Sequence, residues 1–364
     1  MIERFSQHFR ANERAIAVGF FIAGFVFDML TLGRIDSWMM IGQQIAYLAV
    51  IMGVLTHMLL EQAAPAPDPE QMAGLKRWYY RYRIGAVHFV LGALLNLYTL
   101  FFFKSSSLAV SFAFLGVLVA LVLANESSRF KSLGLHLKFA LLSLCLLSFF
   151  AALVPVVVGS IGLAVFLLSV VVGCLPLIAA AAWIRSAAPD LFPRARQQML
   201  LPLGCVLVVF LAFYLFRLIP PVPLSIPFIG VYHAVEKTDA GYTLSHERSV
   251  WRVWQNGDQN FLAQPGDKVY VFFRLFSPTG FADQVVMRWY LKDSRRGWTL
   301  QDSIPIKILG GREEGFRGYG VKANYQPGAW KVQVETRDGR EIGRVYFDLL
   351  LAPESARSFV LEPA

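Results

Sequence analysis

The sequence has little charge and very little cysteine, and both shortages narrow the class of protein. Only 16% of its 364 residues are charged, against about 25% in soluble domains, while 56% are hydrophobic. This composition predicts a multi-span membrane protein. The three cysteines, Cys145, Cys174 and Cys205, lie in apolar runs without metal-binding spacing, so we interpret them as small buried hydrophobic residues.

No motif of known catalytic or nucleotide-binding chemistry occurs in the sequence. It contains no P-loop, no G-x-S-x-G, no H-E-x-x-H and no paired C-x-x-C. The stretch Gly315-Phe-Arg-Gly-Tyr-Gly320 has the wrong spacing for a phosphate cradle and is predicted as a loop or bulged strand. We therefore expect no catalytic residue, cofactor or metal site, and the sequence favours a protein that is not an enzyme without deciding the question.

The sequence is rich in long apolar runs, and seven of them can cross a hydrocarbon core of about 30 Å as helices. Residues 133–182 are too long for one helix and are divided at Gly159-Ser160, just after Pro155. Residues 61–83 and 185–198 are predicted as loops. The predicted spans are residues 15–32, 38–60, 84–103, 108–124, 133–157, 161–184 and 199–219.

The excess of positive charge lies in the first part of the chain. Residues 1–224 carry 16 Lys and Arg against 9 Asp and Glu, whereas residues 225–364 carry 18 against 16. With the N-terminus in the cytoplasm, the loops on that side collect thirteen basic residues, and the other side only Arg34 and Lys104. The positive-inside rule therefore predicts a bacterial inner-membrane protein with a periplasmic C-terminal domain. Because the positive-inside rule already accounts for the basic residues in the loops, nucleic-acid binding is not expected.

The pattern changes after Pro223 from long apolar runs to alternation. Apolar and other residues alternate over residues 269–276 and 285–292, and turn residues recur every eight to twelve positions. Seven to nine short strands predict an all-β antiparallel sandwich of immunoglobulin-like type over residues 225–364, with a small open barrel as the alternative. Prolines 220, 221 and 223 predict a short, stiff connection to the seven-span domain, residues 1–224.

One hairpin is predicted from its turn. Residues 330–336 and 342–349 alternate like strands and flank Asp338-Gly339. A two-residue hairpin turn prefers this pair because both of its central positions need positive φ.

The stretch around this hairpin resembles a known family. It begins Pro327-Gly-Ala-Trp-Lys-Val and ends Gly343-Arg-Val-Tyr-Phe347, behind a membrane region. The chain is similar there to an uncharacterised bacterial family of polytopic membrane proteins with a C-terminal domain of unknown function (family 2914). The resemblance implies a membrane-attached β domain and brings no catalytic residues with it.

Ionisable residues inside predicted spans form a first candidate site. Such groups are costly in hydrocarbon and usually face partners or water. The simpler interpretation is that they reach the membrane surface, as Arg217 can by snorkelling. The candidates are Asp28, Arg217, His57, Glu61 and His88.

Aromatic residues of the C-terminal domain form a second candidate site. Ring faces suit sugars or protein partners, although large rings also fill small β cores. The candidates are Trp251, Trp254, Tyr290 and Trp298.

Two functions are consistent with these candidates. In the first, the periplasmic sandwich binds an envelope protein or glycan in a scaffold or sensor role, while the bundle sits in the lipid bilayer. In the second, the bundle is a transporter or an intramembrane lipid-modifying enzyme that uses its ionisable residues.

Overall fold

The computed structural model describes most of the chain. The described residues are 36–63, 72–105, 108–126, 134–239, 241–247, 251–252, 254–310 and 315–364, with the backbone alone for 108–110 and 126. The predicted span 15–32 lies outside them.

The N-terminal part is helical. Among the described residues it contains α1 Trp38–Leu60, α2 Gly74–Lys104, α3 Leu108–Glu126, α4 Leu135–Val158, α5 Leu163–Ala187 and α6 Pro189–Leu215. The last run, α6, combines a 3-10 turn, a short α-helix, a π-helical turn over Arg196–Leu200 and the α-helix Leu201–Leu215.

These helices are apolar on more than their buried side. Five of them, all but α3, are long and apolar enough to cross a membrane, and Ser111–Asn125 within α3 is a shorter apolar helix. On the outer surfaces of the helices, large side chains such as Val157, Leu175 and Val208 are more than half exposed. A soluble helix would carry polar residues there, so the arrangement fits a multi-pass membrane protein.

Described parts of two predicted loops are helical instead. Helix α2 begins at Gly74 rather than at residue 84, so the basic residues before the apolar run belong to it. Residues 185–198 are divided between α5 and α6, apart from Ala188. Hydropathy marks only the part of a helix that lies in hydrocarbon, and nothing in residues 76–83 ends a helix. Helix α6 also ends at Leu215, before the predicted residue 219.

The C-terminal part is a β region, rich in antiparallel pairs. Its described strands number eleven, more than the seven to nine predicted. They are β1 Ser225–Tyr232, β2 Ala234–Thr238, β3 Gly241–His246, β4 Asn260–Ala263, β5 Val269–Phe276, β6 Ala282–Asp293, β7 Gly297–Leu309, β8 Phe316–Lys322, β9 Gly328–Thr336, β10 Glu341–Leu351 and β11 Val360–Pro363.

These strands form three sheets. A five-stranded sheet has the order β4-β10-β9-β6-β7, and two three-stranded sheets have the orders β1-β5-β8 and β11-β3-β2. Among the described strand pairs, β4 with β10 is the parallel one. Residues Val271 and Phe273 of β5 share one hydrophobic core with Trp289, Val332 and Phe347 of the five-stranded sheet. Two sheets therefore enclose a common core.

The hairpin between β9 and β10 differs from the prediction in its loop. Thr336 N donates to Arg340 O at 2.9 Å, and Gly339 N donates to Thr336 O at 3.0 Å, which leaves three residues in the loop. Gly339 has a φ of 77°, but Asp338 does not have a positive φ. A three-residue loop needs the left-handed conformation only at its last position, where glycine is at no cost.

Candidate functional site

The central strand of the five-stranded sheet has one apolar and one polar face. Along β9 the core residues Val332 and Val334 alternate with Lys331, Gln333 and Glu335. The three polar residues are no more than 9% exposed, because the paired strands β6 and β10 flank them on both sides. Polar groups so well covered must find their partners within this face.

Charged side chains of neighbouring strands supply these partners. Arg288 Nη1 on β6 lies 3.3 Å from Glu335 Oε2. Arg344 on β10 forms an ion pair with Glu341, whose carboxylate also accepts a hydrogen bond from Gln333 Nε2. Burial raises the pKa of Glu335, and Arg288 opposes that rise. Each of the two glutamates of the face is thus balanced by an arginine.

Three aromatic rings gather around Lys331 at one end of this face. Lys331 Nζ lies 4.4 Å from the ring centroid of Tyr290 and 5.2 Å from that of Trp298. The Trp298 ring lies 5.7 Å from that of Tyr346. Cations over ring faces are attracted by the ring quadrupole, so Lys331 attracts the Tyr290 and Trp298 rings. The Arg344 guanidinium, 5.8 Å from the ring centroid of Tyr346, attracts the third ring. We call Tyr290, Trp298, Tyr346 and Lys331 the aromatic face.

The aromatic face is open to solvent at its rings and covered at its lysine. Trp298 is 36% exposed and Tyr346 is 45% exposed. Burial lowers the pKa of Lys331, and the nearby guanidinium of Arg344 lowers it further. The face therefore presents apolar ring surface beside a partly desolvated cation, a combination suited to flat ligands with polar edges.

The structure brings together only two of the four predicted aromatic residues. Tyr290 and Trp298 belong to the aromatic face, whereas Trp251 and Trp254 lie between β3 and β4 and are 87% and 75% exposed. Sequence reasoning missed Tyr346, which pairs with Lys331 across the β9–β10 ladder. The available signal was the predicted two-residue turn, since counting outward from Asp338-Gly339 places Lys331 opposite Tyr346. The structure reaches the same pairing through a three-residue loop and a register shift between Glu341 and Gly343.

The last helix ends in a left-handed cap. Arg217 N donates to Tyr214 O at 2.9 Å, and Leu218 N donates to Phe213 O at 2.8 Å, which are the two bonds of a Schellman motif. Arg217 takes the left-handed position with a φ of 59°. Among the described residues it is the one residue other than glycine with positive φ. The left-handed conformation is energetically unfavourable for a residue that carries a Cβ.

The side chain of Arg217 contacts the β9–β10 loop. A Cβ built on Gly339 would lie 3.0 Å from Arg217 Nη1, so the guanidinium packs against this glycine. In the same loop Asp338 Oδ2 accepts a hydrogen bond from the Tyr214 hydroxyl at 3.4 Å, and the Arg340 guanidinium lies 4.6 Å from the Tyr214 ring centroid. Burial alone would raise the pKa of Asp338, but Arg340 and hydrogen bonds outweigh it, and the pKa is lowered.

A second contact joins the α4–α5 turn to the start of β6. Ala282 N donates to Gly159 O at 3.0 Å, and Ile161 N donates to Asp283 Oδ2 at 3.1 Å. Gly159 has a φ of 75°, and a Cβ there would lie 2.8 Å from Gly280 O, so this close approach requires glycine. The β region is therefore docked onto the helical part by its backbone, in addition to the proline-rich connection.

A third contact shows which end of α1 faces the β region. Thr279 N donates to Asp36 Oδ2 at 3.3 Å, just before α1 begins. A helix of 23 residues is about 35 Å long, so His57 lies at the end of the bundle away from the β region.

A polar network surrounds His57 at that far end. His57 Nδ1 lies 3.0 Å from the Tyr79 hydroxyl and 3.4 Å from Glu61 Oε1. The Glu61 carboxylate also accepts hydrogen bonds from the Tyr80 hydroxyl and the Arg83 guanidinium. The predicted pair His57 and Glu61 is thus brought together, and α2 supplies three partners that the sequence did not assign.

The other predicted intramembrane residues do not join this network. His88 is buried on α2, where its Nδ1 lies 2.9 Å from Asn125 Oδ1 of α3, and Asn125 Nδ2 donates to His88 O at 2.9 Å. Arg217 is at the opposite end of the bundle, and Asp28 lies outside the described residues. The described members of the predicted set therefore occupy three separate places.

The β region also contains a buried polar cluster around His233. The imidazole stacks on Phe261 with ring centroids 4.0 Å apart, and its Nε2 lies 3.5 Å from Asp258 Oδ2. Arg357 Nη1 lies 3.4 Å from His233 Nδ1 and donates to Asp267 Oδ2 at 2.8 Å. The sequence assigns no role to His233, because it shows no nucleophile at a known distance from this residue. In the described part of the chain, no group of three or more His, Cys, Asp or Glu could hold a metal ion.

A known family matches the segment that contains the aromatic face. Residues 282–349 match the family described as "Protein of unknown function (DUF2914)". This confirms the resemblance of the C-terminal part to a domain of unknown function, family 2914. The DUF2914 segment runs from β6 almost to the end of β10 and contains all four residues of the aromatic face.

Other comparisons add no function. No curated protein matches the chain. A β-glucosidase from Listeria innocua matches 26% of this chain at 14% identity and a TM-score of 0.19, and the match spans 15% of that protein. An immunoglobulin-like protein from Pseudomonas aeruginosa matches 35% of this chain and 98% of its own, at 16% identity and a TM-score of 0.21. These scores are too low to relate either fold to the DUF2914 segment or to the rest of the chain.

Proposed function

We propose that this chain is a multi-pass protein of a bacterial inner membrane whose β region faces the periplasm and binds an envelope glycan through the aromatic face, as a scaffold or sensor. The observation that carries the proposal is the gathering of three rings around Lys331 on the outer face of the five-stranded sheet. A protein partner on the same surface is the other outcome that the test distinguishes.

The chemistry of the aromatic face supports a sugar ligand. The C–H faces of a pyranose ring pack on aromatic rings, and Trp298 and Tyr346 are the more exposed rings of the face. Lys331 and Arg344 lie beside the rings as donors for sugar hydroxyl or carboxyl groups. Because cations and ring packing already fix these side chains, little side-chain entropy is lost on binding.

The proposed architecture is seven spans followed by an immunoglobulin-like sandwich. The shared core of the sheets β1-β5-β8 and β4-β10-β9-β6-β7 supports a sandwich. The six described helices, with the predicted span 15–32, give the count of seven. The excess of basic residues on one side of this arrangement supports a cytoplasmic N-terminus.

Reporter fusions test this orientation. A periplasm-specific reporter is expected to be active when fused after Pro223 and inactive when fused at Asp190, because one span separates the two positions. A cytoplasm-specific reporter at the same positions should give the reverse pattern. Periplasmic activity at Asp190 would place the β region in the cytoplasm and remove the envelope from the proposal.

Replacing Trp298 by alanine is expected to weaken glycan binding about ten-fold or more, since large aromatic anchors dominate binding energy. The full chain in lipid nanodiscs is titrated with soluble peptidoglycan fragments, and the dissociation constant is measured by calorimetry. Trp254→Ala is the matched control because it removes an exposed ring outside the aromatic face, and its effect should stay below about two-fold.

Three results of this experiment are informative. A selective loss in Trp298→Ala supports the glycan proposal. Equal losses in both variants would mean that the aromatic face is not the site. If the wild-type chain binds no fragment, a photo-crosslinker at Tyr346 decides between a protein partner, which it would capture, and no partner on this face, which would end the proposal.

A transporter or an intramembrane lipid-modifying enzyme remains the second candidate. The network of His57, Glu61 and Arg83 favours it, because such groups are rarely placed in a bundle without use. Against it, the described polar groups occupy three separate places, and His88 is bonded to Asn125 rather than to the network. Loss of a transport or lipid phenotype in a correctly inserted Glu61→Gln variant would favour this candidate over the first.

A further inference from the structure

We propose that the end of the bundle away from the β region holds a binding site for the phosphate headgroup of an anionic phospholipid. The site is independent of the aromatic face. It is a cavity of about 610 Å³ between the end of α1 and the first turns of α2. The lining residues are His57, Leu75, Lys76, Trp78, Tyr79 and Tyr80.

The composition of α2 at this cavity favours an anionic ligand with an apolar part. The segment Lys76-Arg-Trp-Tyr-Tyr-Arg-Tyr-Arg83 consists entirely of basic and aromatic residues, and residues 72–105 contain no Asp or Glu. Basic residues at a membrane surface attract anionic lipids by about 1 kcal/mol each. Tyr and Trp rings are typical of the headgroup level, where one edge meets lipid and the other meets water.

The charges around the cavity leave Lys76 available to a ligand. The carboxylate of the polar network, Glu61, already forms an ion pair with the Arg83 guanidinium and accepts a hydrogen bond from the Tyr80 hydroxyl. Among the described residues, Lys76 makes no ion pair, and its side chain is exposed. The cavity is therefore cationic, and a phosphate oxygen near Lys76 would meet no uncompensated negative charge from the described residues.

Hydroxyl groups and apolar walls complete a headgroup site. The Tyr79 hydroxyl lies 3.0 Å from His57 Nδ1, so both polar groups stand at the wall of the cavity. Trp78 is 61% exposed and Leu75 is 82% exposed. A phosphodiester can use the cation and the hydroxyl, while its glycerol and first methylenes contact these apolar surfaces.

The outer surface of α2 favours a lipid over a free anion. Beyond the basic and aromatic segment, Ile84 is 46% exposed and Phe89 is 73% exposed on the same helix. Both residues belong to the apolar part of α2 that follows the cavity, and an acyl chain attached to the bound headgroup can lie along this part of the helix. A soluble phosphate would gain nothing from this surface, so we commit to the phospholipid.

The test compares two charge deletions on one helix. The full chain is reconstituted in nanodiscs of phosphatidylcholine with increasing phosphatidylglycerol, and retained lipids are counted by native mass spectrometry after gentle detergent release. Lys76→Gln is expected to weaken phosphatidylglycerol retention about five-fold, the equivalent of about 1 kcal/mol. Arg81→Gln removes the same charge on the same helix outside the lining residues, and its effect should stay below about two-fold.

A second variant guards against a change in folding. Tyr79→Phe keeps the ring and removes the hydroxyl, and it should weaken retention about two- to three-fold at an unchanged thermal transition of the full chain. Equal losses of phosphatidylglycerol retention in Lys76→Gln and Arg81→Gln would mean that the general positive charge of α2 holds the lipid. This result would overturn the proposal of a defined site. Equal retention of phosphatidylcholine, or displacement of the lipid by millimolar inorganic phosphate, would overturn it as well.

Discussion

Replacing Trp289 by alanine is expected to lower the free energy of unfolding of the β region by about 3 to 5 kcal/mol, the usual cost of deleting a fully buried large ring. Trp289 on β6 is 0% exposed, with Trp330 and Phe347 at ring-centroid distances of 6.5 and 6.4 Å. The cavity left behind would face three paired strands that cannot close around it without breaking their ladders.

Hydrogen exchange in urea measures this loss in the full chain. Peptides from β6, β9 and β10 report the unfolding of the β region, while the helical part stays in its nanodisc. Trp254→Ala removes the same side chain from a position that is 75% exposed, and it should change the free energy of unfolding by less than about 0.5 kcal/mol. Equal shifts in the two variants would contradict the position of Trp289 in the core.

A finer comparison separates ring volume from hydrogen bonding. The Trp330 Nε1 donates to Gln326 O at 2.9 Å, whereas the Trp289 Nε1 has no hydrogen-bond partner among the described residues. Trp330→Phe leaves a carbonyl without its donor, but Trp289→Phe removes an indole N–H that is buried without compensation. Trp330→Phe should therefore destabilise the β region more than Trp289→Phe does.

The β region is expected to lose up to about 3 kcal/mol of stability as the pH falls from about 6.5 to about 4, because of His233. Burial, reinforced by the Arg357 guanidinium and His246, lowers the pKa of His233 to about 4 in spite of Asp267. The Asp258 carboxylate at 3.5 Å also favours the protonated form, but the net direction is downward.

The sign of the effect follows from proton binding. Between about pH 6.5 and 4 the unfolded chain binds a proton at His233 and the folded chain does not, so acid favours unfolding in this range. Above pH 6.5 both forms are neutral at this residue, and its contribution is constant. The contribution is fully lost once the pH is below the folded pKa.

Urea midpoints of the β region between pH 7.5 and 4 measure this dependence. His233→Gln keeps a polar side chain of similar size without a titration in this range, and its midpoint should fall less steeply below pH 6.5. The imidazole signals of His233 should also show no titration down to about pH 5. Identical slopes in the two proteins, or a titration near pH 6.5, would contradict the lowered pKa.

Local patterns were sufficient for much of the fold. The predicted span 38–60 is α1, and the alternation over 269–276 is β5, because each pattern lies within one element. The strands β2, β3 and β11 were not assigned individually. Strand β11 pairs with β3, more than a hundred residues earlier, and such pairing leaves no local trace in a short strand.

The candidate sites were predicted only where they depend on local sequence. His57 and Glu61 are one helical turn apart, so their contact follows from local geometry. The convergence of Tyr290, Trp298 and Tyr346 depends on the pairing of four strands. Arg217 was identified as unusual for its charge in an apolar run, but its left-handed backbone and its contact with Gly339 depend on the docking of the two parts.

Strand β6 has a mechanical consequence. It begins at the α4–α5 turn, through the bond from Ala282 N to Gly159 O, and Tyr290 near its other end belongs to the aromatic face. From Ala282 to Tyr290 the strand runs about 26 Å without a break, clamped for most of that length between β7 and β9. The strand can slide only if its ladders shear, so it behaves as a stiff rod. A force on the end of β6 that carries the aromatic face would therefore displace the backbone of the helical turn rather than be absorbed by a loop.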